Sequence, residues 1–166
     1  LKLNLNIFEN NISIIGNFPY NISSQILFKA FENRDKVTEV VGMFQKEVAE
    51  RIASIKGKKK GIVSVLLQAF YDIEYCFEVD NHLFDPPPKV KSGVIKMKRN
   101  SRKKLECDEK TFIKIVKAGY NQRRKTLRNS LKSFTLNSNS EIDILLQKRA
   151  EQLDVEAFIF LTKNVQ

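Results

Sequence analysis

Asn17-Phe18-Pro19-Tyr20 places a carboxamide, an aromatic ring, a proline and a phenol in four consecutive positions, between the apolar run Ile12 to Gly16 and the polar Asn21-Ile22-Ser23-Ser24. That set suits the chemistry of an exocyclic amine on a nucleobase. Such an amine is a poor nucleophile because its lone pair is delocalised into the ring. Acceptors aimed at its two N–H groups, here the Asn17 side-chain oxygen and the carbonyls of Phe18 or Pro19, would favour a pyramidal nitrogen with a localised lone pair. They would also stabilise the positive charge that grows as the nitrogen attacks an electrophilic methyl. Tyr20 can stack on the base and hold it out of its helix. No strong general base is required, since the alkylated amine is acidic. The same four residues also suit an ordinary turn, so the elements that position them must decide.

Residues 12–16 are a continuous apolar run bounded by Asn11 and Asn17, the pattern of a strand buried on both faces of a parallel sheet. Asn21, Ser23 and Ser24 can each cap a helix, along which Ile26, Leu27, Ala30 and Phe31 share a face until Asn33-Arg34-Asp35. Residues 38–44 read as a second strand and 45–55 as a second helix with Val48, Ile52 and Ile55 on one side. This alternation predicts a largely parallel sheet whose carboxyl edge carries the ligand site, with Asn17–Tyr20 and Gln45–Glu47 both at that edge. The apolar run 62–70 is compatible with either helix or strand, and residues 71–79 alternate with period two as a strand does. Pro86-Pro87-Pro88 predicts a rigid extended loop with Phe84 at its entrance, and residues 92–98 a last strand returning antiparallel at the sheet edge. Beyond a polar linker at 100–104 the pattern is wholly helical, which places a domain boundary near residue 100 and divides the chain into 1–100 and 101–166.

The charge is uneven. Lys89 to Lys132 contains sixteen Lys and Arg against three acids, while the remainder has thirteen against sixteen. A positive surface confined to one stretch is expected of a domain that meets phosphate backbones. The loop Lys56-Gly57-Lys58-Lys59-Lys60-Gly61 reads as either a solvated turn or a second phosphate contact. Cys76 and Cys107 are far apart, without a CxxC partner, and His82 is the single histidine, so no metal site is expected. No run approaches the length of a membrane span and no leader pattern opens the chain, so the expected compartment is the cytoplasm.

Five blocks in order carry a resemblance: GNFPYNISS at 16–24, FQKEVAERI at 44–52, FDPPPKVKSGVI at 84–95, GYNQRRKTLRNSL at 119–131 and RAEQLDVEAF at 149–158. They resemble the KsgA family of small-subunit ribosomal RNA adenine N6,N6-dimethyltransferases, in which the position of Phe18 is Leu or Phe. The resemblance implies the C-terminal half of a class I, Rossmann-like α/β methyltransferase sheet followed by a small all-α domain, and makes 62–70 a helix. It implies S-adenosylmethionine as cofactor and dimethylation of two adjacent adenosines in a hairpin of 16S rRNA during ribosome biogenesis. Asn17, Phe18, Pro19 and Tyr20 become the catalytic motif, Asn17 also a cofactor contact, and Tyr20 and Phe84 the rings that stack on the target base. Arg123, Arg124, Lys125 and Arg128 become part of the RNA-binding surface, on an immature 30S subunit met by a monomer.

One departure is an absence. The glycine-rich loop and acidic residues with which the family holds its cofactor are not in this sequence, so the chain is expected to be a piece of a longer protein, with little cofactor binding and a bare, apolar edge on the strand at 12–16. A non-catalytic RNA-binding or ribosome-assembly module is therefore the alternative, and a large-subunit rRNA or DNA adenine methyltransferase would share the Asn17–Tyr20 chemistry.

Overall fold

A computed structural model describes residues 5–166. The first strand β1 (Ile12–Asn17) leads through a short 3-10 turn into helix α1 (Ser23–Glu32), whose Ile26, Leu27, Ala30 and Phe31 are buried. β2 (Val37–Gln45) follows, then α2 (Lys46–Ala53), α3 (Ile62–Gln68), β3 (Tyr71–Val79) and β4 (Ser92–Arg99). The rest is helical: α4 (Glu109–Asn121), α5 (Leu127–Ser130), α6 (Ser140–Gln147) and α7 (Val155–Lys163). The ambiguous run at 62–70 is thus a helix.

The chain divides into two compact units, one running up to Ala53 and continuing with Phe70–Lys103, the other comprising Ser54–Ala69 with Lys104–Gln166. The α3 segment, placed by its sequence position before residue 100, is grouped with the helices that follow. It packs on α4 and α7, with Val65, Leu66 and Leu67 buried, and Phe112, Ile115, Val116 and Phe158 complete that core.

In the first unit the sheet order is β1-β2-β4-β3. β1 and β2 are parallel, with Gly16 opposite Gly42 and Asn17 opposite Met43. β4 runs antiparallel to both β2 and β3. The expectation of a largely parallel sheet therefore fails beyond the first pair. Alternating strand and helix does not determine neighbours, and the twelve-residue return from β3 lets β4 insert beside β2 instead of adding an outer edge. β1 is also not buried on both faces: its residues alternate between half-buried and exposed, and Ile15 is 81% exposed. Among the described residues it has β2 as its one strand neighbour.

Tyr71 and two arginines close the opposite end of this unit. The Tyr71 hydroxyl donates to the carbonyls of Val37 at 2.9 Å and Ala30 at 3.3 Å, and the Arg34 guanidinium lies 4.2 Å from the centre of the Phe70 ring. Arg99 donates to the carbonyls of Phe70, Arg34 and Arg102. Buried carbonyls at strand ends are thus satisfied by side chains where the ladder stops.

Candidate functional site

The register brings the sequence-predicted residues of the first unit to one sheet edge. Asn17 ends β1 opposite Met43, Gln45 ends β2 opposite Ser92, and Ser92 in turn pairs with Val79 at the end of β3. The loop 80–91, which carries Phe84, therefore hangs from the same edge as the Asn17–Tyr20 turn.

Phe18 fixes the turn from behind. Its backbone N–H donates to the Met43 carbonyl at 3.4 Å, and its ring covers the two glycines that face each other across β1 and β2. A Cβ at Gly16 would stand 3.1 Å from the Phe18 ring, and one at Gly42 would run into the Phe18 ring and stand 2.8 Å from the Phe44 ring. The two rings pack at 5.4 Å between centroids, and Phe44 is fully buried. Gly42 is thus required by close approach, a use of glycine within a strand that its position in Val-Val-Gly-Met-Phe already hints at.

Pro19 and Tyr20 open the 3-10 turn. The Pro19 carbonyl accepts from Ile22 N–H at 3.1 Å and from the Ser23 hydroxyl at 3.3 Å, while the Tyr20 carbonyl accepts from that hydroxyl at 3.0 Å. The one proton of the Ser23 hydroxyl is shared between the two carbonyls and lies nearer Tyr20's, so the turn holds Pro19's carbonyl chiefly through Ile22 N–H. Ser23, expected as a helix cap, instead ties this turn down from the first residue of α1. What remains without a hydrogen-bond partner among the described residues is the exposed Asn17 carboxamide and the Phe18 carbonyl next to it in sequence.

The Tyr20 hydroxyl is 2.7 Å from the Ser92 Oγ, and Ser92 is fully buried at the head of β4. Nothing in the sequence marks Ser92 for this role. Phe84 is half-buried, with its N–H on the Asn81 carbonyl at 3.2 Å, and Asn81 Nδ2 reaches across the loop to the Pro88 carbonyl at 3.2 Å. Phe84 makes no ring contact with Phe18 or Tyr20 among the described residues.

A pocket of about 320 Å³ opens beside Ser92, lined by Gln45, Lys46, Glu47, Glu50, Val90 and Lys91. Its cations are engaged: Lys46 and Lys91 both pair with Glu78, and Lys91 also with Asp80 at 2.8 Å. Hydrogen bonds from Lys46 and then Lys91 hold the Glu78 carboxyl below its usual range, and those to Asp80 and Glu78 push Lys91 up. The lining is balanced in charge and does not concentrate a field.

In the second unit Arg123, Arg124 and Lys125 lie exposed in the turn after α4. Arg123 pairs with Glu151 at 3.0 Å and Arg128 with Asp143 at 2.8 Å, whereas Arg124 and Lys125 have no ion-pair partner among the described residues. No group of His, Cys, Asp and Glu among the described residues could hold a metal, and no helix there is long and apolar enough to cross a membrane.

The described residues supply only part of a holding site for S-adenosylmethionine. At the carboxyl end of β1 they offer one carboxamide, Asn17, and β1 carries no acid that could accept from ribose hydroxyls.

A parallel β-α-β step, with a polar turn beyond the carboxyl end of the first strand, defines this as a Rossmann-like α/β protein. The chain belongs to the ribosomal RNA adenine dimethylase family, whose model matches residues 3–166. It is 62% identical over 157 residues to the ribosomal RNA small subunit methyltransferase A of Cytophaga hutchinsonii, covering 93% of this chain and 60% of that protein. With the protein of the same name from Flavobacterium johnsoniae it is 57% identical over 169 residues, covering 100% of this chain and 65% of the relative. The chain thus spans less than two thirds of the length of these curated relatives. Two solved structures share the fold: a dimethyladenosine transferase from Plasmodium falciparum, with a TM-score of 0.76 at 23% identity, and the 23S rRNA methyltransferase ErmE, with 0.69 at 18%. Each covers 93% of this chain and is itself covered to 66%.

Proposed function

We propose that this chain is the target-base and RNA-binding part of a small-subunit rRNA adenine N6,N6-dimethyltransferase. The observation that carries the reading is the pair of open acceptors, the Asn17 carboxamide and the Phe18 carbonyl, next to a Tyr20 ring held by Ser92. Two acceptors on one side of a base are what an exocyclic amine with two N–H groups presents itself to. They draw the lone pair out of conjugation and favour the cation as it forms. Tyr20 and Phe84 are the rings between which an unstacked adenine is held. Pro19 shapes the turn, its carbonyl accepting from Ile22 N–H. The methyl donor of such proteins is S-adenosylmethionine, to which Asn17 contributes a contact. Arg124 and Lys125, with Arg123 and Arg128 alongside, meet rRNA phosphates on an immature small subunit, in the cytoplasm.

The test is methyl transfer from labelled S-adenosylmethionine to immature small subunits by the full-length protein. Loss of transfer in Asn17→Ala with retained RNA binding supports the reading; transfer unchanged in Asn17→Ala and Tyr20→Ala overturns it.

A second reading, favoured by the exposed Arg124 and Lys125 with no ion-pair partner among the described residues, is a non-catalytic RNA-binding or assembly module. It predicts salt-sensitive RNA binding weakened by Arg124→Ala and no methyl transfer from the full-length protein under any condition.

A further inference from the structure

The loop between α2 and α3 belongs by its hydrogen bonds to the same surface as the arginine turn. Gly57 stands at its tip with φ +96°, a conformation that favours glycine, and its N–H donates to the Glu151 carbonyl at 2.9 Å. The carboxylate of the same Glu151 holds Arg123 Nε at 3.0 Å. One residue therefore carries the lysine loop on its backbone and the arginine turn on its side chain.

Lys60 anchors the loop from below. It is fully buried, and its ammonium donates to the carbonyls of Ile55 at 2.8 Å and Leu153 at 3.0 Å. Its backbone N–H closes the turn on the Gly57 carbonyl at 3.0 Å. Burying an ammonium is costly, and a loop that merely had to be soluble would gain nothing from it. What the anchor achieves is a fixed presentation of Lys56 and Lys58, which flank Gly57 and are exposed, with Lys59 exposed beside them. Neither Lys56 nor Lys58 has an ion-pair partner among the described residues. Cations held in place on a rigid loop lose less freedom on binding than cations on a mobile one.

We propose that Lys56 and Lys58 form a second phosphate-contact site, continuous through Glu151 with Arg123, Arg124 and Lys125, so that one RNA backbone is gripped by both loops. This rests on the RNA-binding reading above. It adds a segment more than sixty residues away in sequence and outside the strongly basic stretch.

The experiment measures binding of an A-form RNA hairpin to the full-length protein as a function of salt, for wild type, Lys56→Ala/Lys58→Ala and Lys56→Arg/Lys58→Arg. Each phosphate contact contributes somewhat under one to the slope of log affinity against log salt, so the alanine pair is expected to lower that slope by roughly 1.5. The arginine pair is expected to retain it. Both positions are exposed, so thermal melts should coincide. An alanine pair with wild-type slope and affinity, in a protein that binds the hairpin, overturns this inference and leaves the RNA-binding reading standing. A wild-type protein that does not bind the hairpin overturns both.

Discussion

The hydroxyl of Tyr20 and the Oγ of Ser92 are 2.7 Å apart, across seventy-two positions of sequence. The bond joins the turn after β1 to the first residue of β4, and it fixes the Tyr20 ring at its far end. Removing either partner releases the ring equally, so Tyr20→Phe and Ser92→Ala are expected to have similar effects on methyl transfer by the full-length protein, and the double variant little more than either alone. A neutral hydrogen bond is worth about 1 kcal/mol, which sets the expected coupling in a double-mutant cycle. Additive losses in rate and stability would show that the bond positions nothing.

The Phe18 ring occupies the space that side chains at Gly16 and Gly42 would take. Gly42→Ala drives a methyl into both the Phe18 and Phe44 rings, and overpacking of this kind costs about 1–3 kcal/mol. The expected result in urea denaturation is a lowered midpoint for Gly42→Ala and a partial recovery on adding Phe18→Leu, because the smaller side chain vacates the site. Gly16→Ala, with its nearest ring atom at 3.1 Å, is expected to be milder.

The Asn17–Tyr20 turn was legible because its signals are local: an apolar run, a polar stop and a proline that forbids continuation. The helices after residue 104 were legible by period. The place of β4 was not, since alternation in Ile73, Tyr75 and Phe77 says which faces a strand has and nothing of which strand lies beside it. Ser92 and Lys60 escaped for a related reason. A serine entering a strand and a lysine among lysines look like surface, and only the fold buries them.

Lys60 also makes stability depend on pH in a definite direction. Burial, partly offset by Asp154, lowers its ammonium from 10.5 to about 8. Below pH 8 folded and unfolded chains are both charged there, and the full burial cost is present. Between 8 and 10.5 the folded chain sheds its proton first, so stability rises with pH. Tyr71 acts oppositely: burial pushes its hydroxyl up from 10 to about 12, and the stability this represents is lost as pH rises through that window. Burial pushes Tyr120 up as well, with the same sign. Urea midpoints are therefore expected to climb from pH 8 to about 10 and fall above it. Lys60→Met should abolish the climb and keep the fall; a climb that survives the substitution assigns it to another group.

Asn17 and Phe84 should separate chemistry from capture. In the proposed function Asn17 offers its oxygen where charge develops on the amine, and loss of one such acceptor costs about 10²–10³ in turnover by analogy with oxyanion donors. Asn17→Ala in the full-length protein is expected to lower kcat by that order with RNA affinity within about two-fold, since a neutral amine gains little from the contact before it reacts. In the same proposal Phe84 contributes a ring face, worth about 1–3 kcal/mol per stacked base. Phe84→Ala is expected to weaken retention of the extruded base, read as a smaller fluorescence rise from 2-aminopurine at the target position, while Phe84→Tyr retains it. The two effects are distinguishable because Asn17 sits on the strand end and Phe84 on the loop from β3 to β4, with no hydrogen bond between them among the described residues. If Asn17→Ala abolished the fluorescence rise and Phe84→Ala left it intact, the assignment of acceptor and stacking face would be reversed.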